Sequence, residues 1–418
     1  MLSTKTLIHI PLTPPPKRGR LFKGGIKPRT LNLIIMATEK INISKISPVL
    51  MAFFVMSFVD LVGIGVDRVS KDMSLSATVA QLIPSAAFLW FFVLSVPVGV
   101  LQSRLGKKNM LNIGMGVTAL GLLVPFFFYT FPMVLAGFAL LGIGNTIVQV
   151  SANPLMVDVV PGNRASSFLS FSQFVKAIGS MIGAPLAGFF AAQFGDWKIM
   201  FLVFGIVSIL SVLWLGSAKI DETRVEGYKA TFASSFKLLG NGYVLLLVLS
   251  IFLVVGVDVG FNSNSGQFLI KRFGIDQTAA ESGRSVYFLG RMLGTFAGAI
   301  LLTRISSRKF FMWTSLLGIF CLAAIVLIKS PAMAWVLVFL IGLAVANIWP
   351  LVFSLAVEKY PNQSNEISGL VMMAISGGAV IPLLVGWVSD ISNIALGMTI
   401  LIGCMIYLWA VAVYCLKK

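Results

Sequence analysis

The chain has 418 residues, of which 57% are hydrophobic and only 11% charged. A soluble domain carries about a quarter charged residues and under half apolar ones, so this composition excludes a soluble multidomain enzyme, a disordered chain and a secreted disulfide scaffold, and leaves a membrane protein with many spans. Lys and Arg outnumber Asp and Glu by 32 to 15, a net charge of +17, which in a soluble protein would suggest nucleic acid; here the placement of the charge decides its meaning.

Residues 1–35 carry Lys5, Lys17, Arg18, Arg20, Lys23, Lys27 and Arg29, no acid, and the run Pro14, Pro15, Pro16. No long apolar core follows within this segment, which makes it a poor signal peptide. It reads as a basic extension on the cytoplasmic side; a true start at Met36, just before the first apolar run, is the alternative. Apolar runs then follow at about 46–68, 77–102, 110–130, 132–158, 166–194 and 198–218. After a polar break, six more lie at about 243–270, 283–303, 310–328, 331–357, 366–389 and 393–416. Each is long enough for a spanning helix, which needs about 20 apolar residues.

With the N-terminus inside, the inner loops and ends after the tail hold sixteen basic residues. The outer ones hold seven: Arg68, Lys71, Lys198, Lys271, Arg272, Arg284 and Lys329. This bias predicts both termini in the cytoplasm and explains the basic excess as a topology signal. The expected organisation is a basic tail (1–40), an N-terminal six-helix bundle (41–218), a cytoplasmic linker (219–240) and a C-terminal six-helix bundle (241–418).

The catalytic vocabulary is sparse. Cys321, Cys404 and Cys415 all sit in apolar runs with no CxxC spacing, and the single histidine is His9 in the tail. No Walker loop is present. These counts predict no enzyme, no resident metal or cofactor, and work drawn from an ion gradient.

The two halves match at an offset of about 200 residues. "FLWFFVLSVPVGVLQSRLGKK" at 88–108 lies over "FLGRMLGTFAGAILLTRISSR" at 288–308, "VDVVPGN" at 157–163 over "VEKYPNQ" at 357–363, and Asp60 over Asp258 at a slightly shorter offset. A repeat of six spans is the plan of transporters whose two bundles rock about a central site.

The loop Gly99-Val-Leu-Gln-Ser-Arg104-Leu-Gly106-Lys107-Lys108 is similar to the GxLADRxGRK/R loop of the major facilitator superfamily, with Ser103 where the usual Asp stands. Losing that acid is expected to weaken its charge contact with a neighbouring helix end. Over roughly residues 48–415 the chain further resembles the fucose permease family of sugar–proton symporters, through "GNTIVQVSANPLM" at 144–156, "SFSQFVKAIGSMIG" at 170–183, "FLGRMLGTF" at 288–296, "ANIWPLVFSLA" at 346–356 and "ISGGAVIPLLVGWVSD" at 375–390. The resemblance implies an all-α membrane protein of twelve transmembrane helices in two six-helix pseudo-symmetric bundles, the major facilitator fold. It also implies import of a hexose or deoxyhexose such as fucose, glucose or galactose. That family carries an Asp in its first span and a Glu just before the Ala-Asn-Pro string. Here Ile64 stands at the Asp position, with Asp60 one turn earlier, and Gln149 stands at the Glu position.

Four ionisable residues, Asp60, Lys176, Asp258 and Arg291, fall deep in apolar runs, where a charge costs at least about 2.5–3.5 kcal/mol on insertion scales. Either they lock the bundles as static ion pairs or at least one acid titrates. Asp60 and then Asp258 are the proton-coupling candidates, with sodium coupling or facilitated diffusion as alternatives. Lys176, Arg291 and Arg104 are the candidate ion-pair or gating residues. A sugar needs neutral amides and an aromatic plate, and Asn145, Gln149, Asn153, Gln173, Asn262, Gln267 and Asn347, with Trp349, are the candidate binding set beside Lys176. By resemblance Gln173 matches a family Gln near the sugar, and Lys176 replaces a family Asn.

Gly290, Gly294 and Gly298 in the eighth span, and Gly179, Gly183 and Ala187 in the fifth, form small-residue stripes that let helix backbones approach closely; the resemblance implies that these two helices meet between the bundles, so the stripes are expected to face each other, either sliding or as purely structural packing. Pro154, Pro350 and Pro382 are expected to bend their spans. The expectation is therefore a monomeric sugar importer of the bacterial inner membrane. Its partners are a sugar and the lipid bilayer, without nucleic acid. A drug–proton antiporter or a sugar-binding receptor that does not transport remain the alternatives.

Overall fold

The computed structural model describes residues 42–417 apart from 161–164, 223–235, 303 and 361–363. The basic tail, its alternative start at Met36, Arg164 and most of the 219–240 segment lie outside the described residues. Every regular element among the described residues is helical. This is what a bilayer demands of an open chain, because lipid offers no partner to backbone N–H and C=O groups.

Twelve spans follow in chain order. The first six are Ile43–Asp72, Ala77–Gln102, Lys107–Phe127, Phe131–Val159, Ala165–Phe194 and Ile199–Ser217. The next three are Gly242–Phe273, Gln277–Leu301 and Ser307–Leu327. The tenth is Pro331–Val345 continued by Ile348–Lys359, the eleventh Ser364–Ala374 continued by Gly377–Ile391, and the twelfth Ile394–Lys417. Eleven contain a stretch long and apolar enough to cross a membrane. The eighth does not, because it carries Glu281, Arg284 and Arg291. It starts six residues earlier than its apolar run, where the Asp276 side chain caps the Ala279 N–H at 3.0 Å. A helix can be polar at this depth only if its charges find partners inside the protein.

Three spans are interrupted halfway. The first tightens into a 3-10 turn at Ser57–Leu61, which holds Asp60. Neighbouring amides satisfy the loosened ladder: Asn145 donates to the Met56 carbonyl (2.7 Å) and Asn262 to the Asp60 carbonyl (3.1 Å). The tenth breaks at Ala346–Asn347, where Pro350 has no N–H for the Ala346 carbonyl four residues back. The eleventh breaks at Ile375–Ser376, just before Gly377.

The apolar side chains gather into two principal cores. One draws mainly on residues 46–215 and the other on residues 247–415. Glycines bring the helices within each half into backbone contact. A Cβ on Gly142 would overlap the Ala87 carbonyl oxygen of the second span, whereas Gly116 on the third faces open space. Gly142→Ala is therefore expected to cost about 1–3 kcal/mol by overpacking and lower the thermal midpoint in detergent. Gly116→Ala is expected to hold or raise it, since Ala is favoured over Gly in a helix by about 0.5–1 kcal/mol.

The small-residue stripes do not face each other. Gly290 and Gly294 lie against the Phe339 and Leu343 carbonyls of the tenth span, and Gly298 against the Asn347 amide. Gly179 meets Ser57 and Phe54, and Gly183 meets Leu61 and Ile64, all on the first span. The fifth and eighth spans do touch, but through other faces, as where Ser285 donates to the Met181 carbonyl at 2.9 Å. Spacing identifies the stripes; which neighbour fills each depends on helix rotation, which spacing does not encode.

Candidate functional site

A cavity of about 1300 Å³ runs from the level of Asp60 and Asp258 to one end of the helices, where Gln102, Lys107, Glu222 and Leu302 line it. It exceeds the usual 300–1,000 Å³ of a ligand pocket, as expected of a space open at one end. Phe88 and Phe288, which occupy equivalent positions of the internal repeat, both line it.

Of the residues singled out by sequence, Asp60, Gln149, Asn153, Gln173, Lys176, Asp258, Arg291, Asn347 and Trp349 line the cavity. On the fourth span the Gln149 amide donates to the Asn145 side-chain Oδ1 (2.7 Å), and the Asn153 amide donates to the Gln149 backbone carbonyl (3.3 Å). Trp349 stacks on Phe353 with ring centroids 5.6 Å apart, a broad aromatic plate on the cavity wall. Asn347 holds the Gly294 carbonyl at 2.7 Å and so pins the tenth span to the eighth beside that plate.

Three candidate ligands lie off the cavity. Asn145 is buried against Met56, Asn262 is buried with its amide on Asp60, and Gln267 donates to the Asp67 carboxylate at 3.1 Å. Their polar groups hold helices together in this conformation. Arg104 also departs from the gating expectation. It is exposed at the end of its span and makes no ion pair among the described residues.

The four deep charges are not one cluster of equivalent pairs. Arg291 Nη1 reaches both Asp258 oxygens, at 2.8 and 2.9 Å, and the Tyr287 hydroxyl donates to the same carboxylate at 2.6 Å. The Asp60 carboxylate accepts a single hydrogen bond, from Ser180 at 2.5 Å, and faces no cation within ion-pair distance among the described residues. Ile64, at the family's Asp position, is buried against Gly183 and does not reach the cavity.

Away from its mouth the cavity is sealed by a charged layer built partly from residues that the basic-residue count places in outer loops. Arg284 pairs with Asp67 at 2.5 Å, both side chains essentially inaccessible at 2% and 0%. Arg68 clamps Glu281 through Nε and Nη2, each at 2.6 Å. Gln267 and Gln277 bind the two carboxylates, and Gln81 reaches Asn264 at 3.1 Å. Asp390, at the end of the eleventh span, accepts the Ala77 and Thr78 N–H groups at the start of the second, at 2.8 and 2.7 Å. Gly63 and Gly266 leave the room this layer needs. A Cβ on Gly63 would stand 2.5 Å from Arg284 Nε, and one on Gly266 would overlap the Asp67 carboxylate. Arg68 and Arg284 therefore do not belong in a census of loop charges. The available signal was the adjacent pair Asp67 and Arg68 at the end of the first apolar run, with Glu281 and Arg284 three apart on another helix.

The family model described as Major Facilitator Superfamily matches residues 49–383. The chain belongs to the major facilitator superfamily. It is 26% identical over 379 residues to the glucose/galactose transporter of Brucella abortus biovar 1 (strain 9-941), covering 85% of this chain and 90% of that one. It is 22% identical to the L-fucose-proton symporter of Escherichia coli (strain K12), covering 74% of this chain and 78% of that one. A crystal structure of the E. coli fucose:proton symporter superposes with a TM-score of 0.65 at 18% identity, covering 88% of this chain and 97% of that one. The superfamily fold is thereby shown, as is a multi-pass membrane protein resembling the fucose permease branch.

The superfamily loop at Gly99–Lys108 has an unforeseen partner. Gly106 turns the chain with φ +88°, a conformation that favours glycine. Glu222, from the segment after the sixth span, accepts the Lys107 and Lys108 N–H groups at 2.6 and 3.0 Å. An acid at a helix N-terminus satisfies donors and complements the helix dipole. Lys107 in turn binds Asp158 at 2.6 Å. The expected weakening through Ser103 is thus met by a carboxylate distant in sequence. Beside it Lys45 pairs with Asp221 and holds that exposed carboxyl below its usual range.

Proposed function

We propose that this superfamily member imports a monosaccharide across the bacterial cytoplasmic membrane by alternating access, with proton symport as the energy source. The observation that carries the reading is one cavity joining amides (Gln149, Asn153, Gln173), an aromatic plate (Trp349 on Phe353) and an acid without an ion pair among the described residues (Asp60). Amides both donate and accept, which suits a ring of hydroxyls, and an aromatic face suits the apolar side of a sugar ring. The names of the glucose/galactose and fucose relatives point the same way.

With both termini in the cytoplasm, as the basic-residue bias expects, the open end faces inward and the Asp67–Arg284 layer seals the outside. The six-helix bundles at 41–218 and 241–418 then rock about the cavity. Asp60 is the better proton site. Its carboxylate holds one hydroxyl, whereas Asp258 is committed to Arg291 and Tyr287.

The test is counterflow of labelled glucose, galactose and fucose in proteoliposomes. At least one sugar is expected to exchange, and its net accumulation to collapse with a proton uncoupler. Sugar binding without counterflow would instead mark a receptor, and proton-driven expulsion of apolar cations without sugar exchange would mark a drug antiporter.

A further inference from the structure

Among the charges that line the cavity, the cation Lys176 and the acid Asp60 have no ion-pair partner among the described residues. Arg291 is matched by Asp258, and at the mouth Lys107 is matched by Asp158 while Glu222 sits on a helix N-terminus. Lys176 lines the same cavity, and among the described residues its ammonium makes no ion pair or hydrogen bond. One acid of the cavity, Asp60, is bound to the helix that carries Lys176. Ser180, whose hydroxyl binds Asp60 and also touches the Lys176 carbonyl, stands one turn from Lys176 on the fifth span. Residues four apart on a helix are neighbours on one face, with Cβ atoms about 5–6 Å apart, yet no Lys176–Asp60 pair forms.

An ammonium facing an open, wet cavity is solvated by water. When the cavity closes around its load, that water is expelled, and an ion left without a partner there is strongly disfavoured. If Asp60 carries the transported proton it is neutral in the loaded state and cannot serve as the counter-charge. The anion must then come with the load. Two more groups of the cavity wall would help to receive it: Arg291, which commits only Nη1 to Asp258, and Gln173, three residues before Lys176.

We infer that Lys176 is a specificity-determining residue that binds the carboxylate of an acidic monosaccharide, so that the substrate belongs to the uronic or aldonic acid class. The inference rests on the monosaccharide reading above and narrows it. One carboxylate taken up with one proton is an electrically neutral load, so closing the cavity over it buries no unmatched charge.

Matched sugars that differ only at one carbon decide it. Binding of galacturonate against galactose, and of glucuronate against glucose, is measured by calorimetry on the purified full chain in detergent, for the wild type, Lys176→Gln and Lys176→Arg. In at least one pair the wild type is expected to favour the uronate by about tenfold or more, because a hydrogen bond to a charged partner contributes more than a neutral one. Lys176→Gln is expected to reduce that affinity ratio by about tenfold, and Lys176→Arg to keep it, since charge and reach are retained. Equal or weaker binding of the uronate in both pairs of the wild type overturns the inference whatever the variants do. So does a Lys176→Gln ratio equal to the wild type. Neutral hexoses that bind and exchange while uronates do not would leave the monosaccharide reading standing and remove this one. If neither kind of sugar binds, the monosaccharide reading itself falls.

Discussion

Asp67→Asn is expected to unseal the closed end and abolish net transport. The change is nearly isosteric, but it leaves the Arg284 guanidinium, 2% accessible, without its anion. Removing one partner of a buried ion pair costs about 3–5 kcal/mol, and each 1.4 kcal/mol is about tenfold in an equilibrium. The sealed conformation should therefore lose at least about a hundredfold in population relative to one that lets water reach Arg284. A cysteine at buried Ser265 reads this directly. It should resist an impermeant maleimide in the parent and react in the Asp67→Asn background. The native Cys321, Cys404 and Cys415 are buried and serve as internal controls. The double variant Asp67→Asn/Arg284→Gln removes both charges and should regain much of the protection, since it no longer strands an ion. Equal labelling in parent and single variant would show that the pair does not hold the seal.

Asp60→Asn is expected to abolish gradient-driven accumulation while exchange of substrate across the membrane persists. An amide keeps the shape and can still meet Ser180, but it cannot carry a proton. Two features place Asp60 ahead of Asp258 for this role. It faces the cavity from a 3-10 turn in which Asn262 holds the Asp60 carbonyl and Asn145 the Met56 carbonyl just before it, so the backbone around it is coupled to its neighbours on the fourth and seventh spans. It also lacks the cation that Asp258 has in Arg291. The measurement is uptake into proteoliposomes with and without an imposed pH gradient, beside counterflow at equal pH. Accumulation at the wild-type level would remove Asp60 from coupling.

Much of the candidate site is legible in the sequence, and the part that is not has a common cause. Gln149, Asn153, Gln173, Lys176, Asn347 and Trp349 stand out by polarity or aromaticity inside apolar runs, and all six line the cavity. The same criterion also selects Asn145, Asn262 and Gln267, which serve helix–helix contacts. Cost of insertion says that a polar side chain must be satisfied inside the membrane; it does not say whether a ligand or another helix satisfies it. The converse error falls on Arg284 and Arg68. Lying near span ends, they count as loop charges along the sequence, although they are enclosed between the first and eighth spans. Glu222 escapes notice for a related reason. A lone acid in a polar segment carries no signal until the start of the third span is brought against it.

Composition and hydropathy by themselves determined the class of the molecule and the approximate place of eleven of its spans. These follow from transfer free energies summed over neighbouring residues, and such sums are local along the chain. Only the tertiary structure decided which buried charges meet. Asp67 with Arg284, Arg68 with Glu281 and Asp258 with Arg291 are chosen by helix rotation and packing, as is the failure of Lys176 and Asp60 to pair. A pairwise electrostatic energy falls with distance and depends on burial, and for residues on different helices neither quantity exists until the spans have packed.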